Sequence, residues 1–447
     1  MKTKLTNFSL YDGLHEQLQE NRFLVLDGKY ISQIGEGSDE PNNDYDRVYD
    51  LGGGTLMPGL IDMHVHATVP LMTDYRSRQA LQSIEAQREK NFRNCIKYGV
   101  TTIRDMGAFP YSIQSWKKKI ESGEAVGPRI FTPNAFITSK NGAPERAPTI
   151  PFPMTRIFGG QLAERVKTPD QVRNAAMKNL KLGADFLKTQ YTQSSMFFQP
   201  DMVNLSDACF AALKKVADQY HVKIACHHTD NAGFKKCIAF HFDCIEHCSL
   251  EKLDQVDIDQ FVSQEMAIVP TLRVNHSCFE VEEVLDFLEM NGADEYTPVA
   301  LKQIRDNLAV HLRQPYPPSG NGTYLDIEKS RRGFDITLEN LNRIKQRGGS
   351  IGVGTDSFGC YLNLPGFYWK ELLLLTRAGL SHAEALHAAT YQNAVILGME
   401  KLIGNISPGK FADLIVVDGN PLQDVSNIRN LRMVFKDGER YVHGVRC

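Results

Sequence analysis

No stretch of this 447-residue chain is long and apolar enough to cross a bilayer, so no membrane-spanning helix is expected. The opening Met1-Lys2-Thr3-Lys4 is not followed by an apolar run of signal-peptide length, and the expected location is the cytoplasm. Charge of one sign is not in excess. Fifty Lys and Arg face 53 Asp and Glu, a formal net charge of −3. That balance gives no electrostatic reason to expect nucleic acid or an anionic membrane as a partner. The nine cysteines are scattered and include no CxxC pair. An odd number without a framework reads as reduced, buried thiols. No GxGxxG follows the first central strand, which removes the main cue for a dinucleotide fold.

What is present is ordinary for a globular protein: 42% hydrophobic and 23% charged residues, enough chain for one large and one smaller domain. Phe23-Leu24-Val25-Leu26 and Tyr30-Ile31-Ser32-Gln33-Ile34, separated by Asp27-Gly28, predict a β-hairpin. Ala412 to Val417 and Met433-Val434-Phe435 predict strands near the other end. Because domain termini often lie close together, the two strand-rich ends are expected to pair. Between them, short apolar strands are predicted near 60–66, 100–105, 129–137, 185–190, 223–228, 242–247, 266–271 and 350–356. Amphipathic helical patterns intervene, such as Gln79 to Tyr98, Pro169 to Leu182 and Asp207 to Gln219. The fold class is α/β: a (β/α)8 TIM barrel over 59–401, with a small β-sandwich domain formed from 1–58 and 402–447. Two long connections, Ser139 to Gln161 with Pro144, Pro148, Pro151 and Pro153, and Val274 to Asn342, follow strands. In a barrel they lie over the C-terminal face, where they are expected to cover the substrate.

The chemistry gathers at strand ends. His64 and His66 close the first strand two residues apart, so they project to one face as a natural chelate. His227 ends the fifth strand and His247 the sixth. His228 should point outward to the helices as a structural histidine. Asp356 ends the eighth strand, where it serves as ligand or general base. The fourth strand supplies Lys188, either as an ion-pair partner or, after reaction with CO2, as an anionic carbamate able to bridge two metals.

Together these segments resemble the amidohydrolase superfamily, and within it the imidazolonepropionase-related branch of Xaa-Pro dipeptidase-like and carboxypeptidase-like enzymes. The marks are Leu56-Met57-Pro58-Gly59-Leu60-Ile61-Asp62-Met63-His64-Val65-His66, Gly99-Val100-Thr101-Thr102-Ile103-Arg104-Asp105, and Gly183-Ala184-Asp185-Phe186-Leu187-Lys188. Ile245-Glu246-His247, Gly354-Thr355-Asp356 and Gly409 to Val417 complete them. The resemblance implies a metal-dependent hydrolase with two divalent cations, the Zn2+ that most family members carry. His64, His66 and Asp356 would hold one, His227 and His247 the other. Carboxylated Lys188 and a hydroxide would bridge them, with Asp356 as general base and then general acid.

The chain also departs from the family. Thr229 stands where many relatives have a second histidine, the loop after the third strand is proline-rich, and Pro365-Gly366 replaces a His-Gly pair. These positions surround the substrate rather than the metals. The expected reaction is hydrolysis of an amide or peptide bond, with a dipeptide or N-acyl amino acid as substrate. A cyclic amide, a lactone or a heterocyclic amine is the alternative at the same site. A binding protein that has lost catalysis is the remaining class, against which the full ligand set argues. Arg273 and Tyr191 are the candidate substrate contacts, with Arg146 and Arg156 as further cations for a carboxylate. A homo-oligomer is compatible with the fold, but no heptad or apolar stripe identifies an interface.

Overall fold

The computed structural model describes residues 1–37, 45–69, 78–140, 142, 154–195, 197–198, 203–314, 318–320, 323–359, 362 and 364–447. The N-terminal segment contributes strands β1 (Lys2–Leu10), β2 (Arg22–Asp27), β3 (Tyr30–Glu36) and β4 (Arg47–Pro58). The centre contributes β5 (Leu60–Val65), β6 (Val100–Asp105), β7 (Arg129–Phe131), β8 (Phe136–Ser139), β9 (Ala163–Val166), β10 (Leu187–Gln190), β11 (Phe197–Phe198), β12 (Ile224–His227), β13 (Cys244–Glu246) and β14 (Ala267–Val269). After these come β15 (Pro318–Gly320), β16 (Thr323–Leu325), β17 (Ser350–Ile351), β18 (Leu414–Val417), β19 (Leu431–Lys436), β20 (Glu439–Val442) and β21 (Val445–Arg446).

The two ends of the chain do pair. They form one eight-stranded sheet ordered β21-β20-β19-β18-β4-β1-β2-β3. The expected β2–β3 hairpin is there. The β19–β20 hairpin turns at Asp437 (φ 51°) and Gly438 (φ 76°), both left-handed, as a two-residue type I′ turn requires. Pairing of Leu414 with Pro58 and Val416 with Leu56 joins β18 to β4. Leu5, Leu24, Leu56, Leu414 and Phe435 form the fully buried core of this sheet.

Parallel strands fill the middle, in a sheet ordered β5-β6-β7, a sheet ordered β10-β12-β13-β14-β17 and the pair β8-β9. Their apolar character on both faces has a reason. Ile224, Ile245 and Ile268 join the large outer core, while Ala225, Cys244, Ala267 and Val269 join a separate inner one. Backbone bonds tie β5 to the segment after β17: Met63 N to Val353 O (3.0 Å), Asp356 N to His64 O (2.6 Å) and His66 N to Ser357 O (2.9 Å). Buried Asn393 staples the same seam, donating to Ile61 O (2.7 Å) and Val353 O (2.9 Å) and accepting from Val353 N (2.9 Å). At the opposite side Asp185 N reaches Thr132 O at 2.8 Å.

One expected strand is two. The run 129–137 breaks at Asn134, whose left-handed backbone (φ 61°) separates β7 from β8. Its side chain holds the break by donating to Asn179 O and accepting from Gln114. The expected helices occupy Arg78–Lys97, Pro169–Lys181 and Asp207–Tyr220. The last two are capped by Thr168 and Ser206. Most of the proline-rich connection, including Pro144, Arg146, Pro148, Pro151 and Pro153, lies outside the described residues. The other long connection carries helices Glu282–Glu295 and Pro298–His311, and its β16 pairs with β11 from the segment after β10. No helix among the described residues is long and apolar enough to cross a membrane.

Candidate metal centre

Four imidazoles, one carboxylate and one amine come from the parallel strands or the segments that follow them: Lys188 lies within β10, His64 within β5, His227 ends β12, His66 and His247 directly follow β5 and β13, and Asp356 lies in the segment after β17. The rings of His227 and His247 lie 4.5 Å apart, those of His64 and His247 4.8 Å, and those of His64 and His66 5.4 Å. Asp356 Oδ1 stands 3.3 Å from His66 Nε2 and 3.7 Å from His64 Nε2. One potential ligand atom each from His64, His247 and Asp356 falls within 4.8 Å of the others.

The far side of three of these rings is fixed by protein. His64 Nδ1 donates to Glu246 Oε2 at 2.8 Å, and His66 Nδ1 to Gly107 O at 3.1 Å. His247 Nδ1 meets the Thr271 hydroxyl at 2.6 Å. A carboxylate and a carbonyl only accept, so the first two rings carry a proton on Nδ1, and in its neutral form each presents a lone pair on Nε2. Gly107 is itself held in place. Asp105 accepts from Gly107 N (3.0 Å) and Ala67 N (2.9 Å), and burial pushes its carboxyl up to about 7. Asp62 likewise accepts from His64 N and from Thr355, tying β5 to the Asp356 segment, and burial raises it to about 7.

Two positions of the cluster depend on unusual backbone. Strand alternation from Ile245 would send His247 outward with the outer core. A left-handed φ of 67° turns it in. Asp356 (φ 57°) and Thr271 (φ 47°) are left-handed as well. Such strain in non-glycine residues costs about 1–3 kcal/mol each and clusters where side chains must be aimed.

The electrostatics favour cation binding. Burial lowers His64 to about 4 and, with Lys188 and neighbouring imidazoles, takes His227 and His247 well below their ordinary value. These rings are neutral at pH 7, as metal ligation requires. Burial alone would raise the Asp356 carboxyl, but His64, His66 and His227 outweigh it and hold it below its usual range. Burial would lower His66, yet Asp356 more than offsets it, so this pair competes for a positive charge. Lys188 is 6% exposed, its Nζ has no hydrogen-bond partner among the described residues, and burial lowers its pKa.

Not every expected residue joins the cluster. Arg273 is fully buried 4.4 Å from the Phe367 ring and 3.8 Å from Glu283. The Tyr191 ring packs against Phe210 and Lys236, and its hydroxyl accepts from Gln193. Arg156 is exposed. His228 is buried beside Phe234 of the following helix, as strand alternation predicts. Thr229 donates to Ser194 O at 2.7 Å. Sequence reasoning overlooked Glu246, Arg104 and Thr271. The first two were within reach, because a charged residue inside a short apolar strand must face a partner.

The sequence profile of the amidohydrolase family matches residues 55–441. Ochratoxinase from Aspergillus niger is 21% identical over 434 residues, covering 91% of this chain and 79% of that protein. Imidazolonepropionase from Pseudomonas paraeruginosa is 50% identical over 48 residues, 11% of this chain and 12% of that one. The crystal structure of a Xaa-Pro dipeptidase with bound methionine superposes with a TM-score of 0.76 at 27% identity, covering 99% of this chain and all of that one. The chain belongs to the amidohydrolase family and is a hydrolase acting on carbon–nitrogen bonds.

Proposed function

We propose that this hydrolase cleaves an amide or peptide bond in a dipeptide or N-acyl amino acid at two divalent cations, zinc first among them. The observation that carries this reading is a set of potential ligand atoms, from two imidazoles and a carboxylate, facing one another. With Nδ1 held by Glu246 and Gly107, the Nε2 atoms of His64 and His66 stand 3.7 and 3.3 Å from Asp356 Oδ1. Three such atoms so close, all nitrogen or oxygen, suit a divalent cation such as zinc.

His64, His66 and Asp356 would hold one cation, and His227 and His247 the second. Lys188 would join as a carbamate. Its neutral amine would add to CO2, a C–N bond forming and the amine proton leaving to solvent, which would leave a carboxylate available as an anionic ligand. Bound there, the cations supply Lewis acidity that acidifies water and polarises the scissile carbonyl. Asp356 takes the proton of the attacking water, and on collapse of the tetrahedral adduct delivers it to the departing nitrogen. The fold reading belongs with this site. We take the parallel sheets as one (β/α)8 barrel over 59–401, and the terminal sheet as a small β-sandwich from 1–58 and 402–447. The seam bonds between β5 and the segment after β17 support closure, and the four histidines and Asp356 lie near or beyond the C-terminal ends of their strands, on the side where such barrels keep their active sites.

The test combines metal analysis with turnover of Xaa-Pro dipeptides and N-acyl amino acids. About two cations per chain and release of a free amino acid are expected, with Asp356→Asn lowering kcat about 10²–10⁴-fold. Ammonia release instead would move the substrate to a heterocyclic amine. Two bound cations with no turnover of any class would leave a binding protein.

A further inference from the structure

Beneath the cluster lies a pair of buried charges that no ligand role uses. Glu246 is fully buried on the inner face of β13, and Arg104 is 4% exposed on β6. The two Glu246 oxygens are committed separately. Oε2 accepts from His64 Nδ1 at 2.8 Å, and Oε1 accepts from Arg104 Nη2 at 2.5 Å. Arg104 is anchored in turn, donating from Nε to Met63 O (2.8 Å) and from Nη2 to Cys244 Sγ (3.4 Å). The chain Met63–Arg104–Glu246–His64 therefore leaves β5 at residue 63 and returns to it at residue 64.

We infer that Glu246, steered by Arg104, is a positioning residue that fixes His64 as its Nδ1–H tautomer and so aims Nε2 at the cation. This rests on the reading of His64 as a ligand. The geometry also keeps Glu246 from binding a cation or acting as a base, because both of its oxygens are taken. Without the carboxylate, neither ring nitrogen of His64 is specified, and the ring can turn its protonated nitrogen toward Asp356. Arg104 supplies what a buried carboxylate needs, a hydrogen-bonded opposite charge.

The experiment reads the metal-free protein first. Imidazole ¹⁵N spectra of wild type should place His64 in the Nδ1–H form, whereas Glu246→Gln should give a mixture or the other tautomer. Chelator competition should then show zinc affinity about 10–100-fold weaker in Glu246→Gln. A buried Arg104 without its partner endangers folding, so the double variant Arg104→Gln/Glu246→Gln removes both charges together. It should fold and still bind zinc weakly. Recovery of wild-type affinity in the double variant would mean that Glu246 only neutralises Arg104, which overturns the inference. An unchanged tautomer and affinity in Glu246→Gln overturns it equally, while leaving His64 as a ligand. Wild-type protein that takes up no zinc would sink the ligand reading itself, and the inference with it.

Discussion

Asn393→Ala should open one seam of the molecule selectively. Asn393 makes three hydrogen bonds across it, but they are not equivalent. Ile61 O keeps the Tyr368 hydroxyl at 2.7 Å, and Val353 O keeps Met63 N at 3.0 Å. Val353 N has Asn393 Oδ1 as its partner and is left buried and unpaired in the variant. An orphaned buried donor costs about 1–3 kcal/mol, and each of the two bonds lost from still-paired carbonyls about 0.5–1.5 kcal/mol. The sum is about 4 kcal/mol, or about 10³-fold in the opening equilibrium at about 1.4 kcal/mol per decade. Native-state hydrogen exchange reads it residue by residue. The amides of Met63, His66 and Asp356, which bridge the seam, should lose protection, while the β12–β13 ladder keeps its own. Because His64, His66 and Asp356 sit on the two sides of that seam, zinc affinity should fall with it. Tyr368→Phe is the control and should cost about 1 kcal/mol. A loss under about 1 kcal/mol in Asn393→Ala, or exchange that rises evenly over the whole molecule, would refute the accounting.

Lys188→Ala should lose most bound metal and activity, with partial rescue by small carboxylates; full activity with one cation would reduce Lys188 to a structural role. Glu371 accepts from Leu272 N and Arg273 N, and burial pushes its carboxyl from 4.5 up to about 8. Between those values the folded chain keeps a proton that the unfolded chain releases, so stability should fall as pH rises through the window. Glu371→Gln should flatten that part of the curve, and parallel urea-midpoint profiles for the two proteins would contradict it. Arg273→Met removes a buried guanidinium whose nitrogens lack hydrogen-bond partners among the described residues. KM should stay within about twofold and the unfolding midpoint hold or rise, since Glu283 keeps Lys370 as its ion-pair partner and no buried carboxylate is left uncompensated. A raised KM for carboxylate substrates would return Arg273 to the binding site.

Much of the site was legible because strand alternation is a simple rule. It puts His64 and His66 together, sends His228 outward, and places Lys188 and His227 on the same face as Phe186 and Ala225. The same rule fails at His247, which reaches the cluster only through its left-handed backbone, and nothing in Ile245-Glu246-His247 announces that rotation. Thr271 was illegible for the same reason. Glu246 and Arg104 were legible as charges inside apolar strands, each of which needs a buried partner. The break at Asn134 turned one expected strand into two, because asparagine tolerates a left-handed backbone more readily than most residues. The substrate contacts were the weakest part. Arg273 and Tyr191 follow strands, but position along a strand does not say which way a loop side chain turns.

The β4–β18 pairing sets an order of events during synthesis. Most of the polypeptide separates the two partners, so β4 emerges from the ribosome long before the strand that will cover its open edge. Until then that edge offers unpaired amides and carbonyls to any passing strand, including one from a neighbouring nascent chain. Truncations that remove β18 should therefore aggregate rather than yield a smaller working enzyme, and slow translation of the intervening stretch should lower the yield of folded protein.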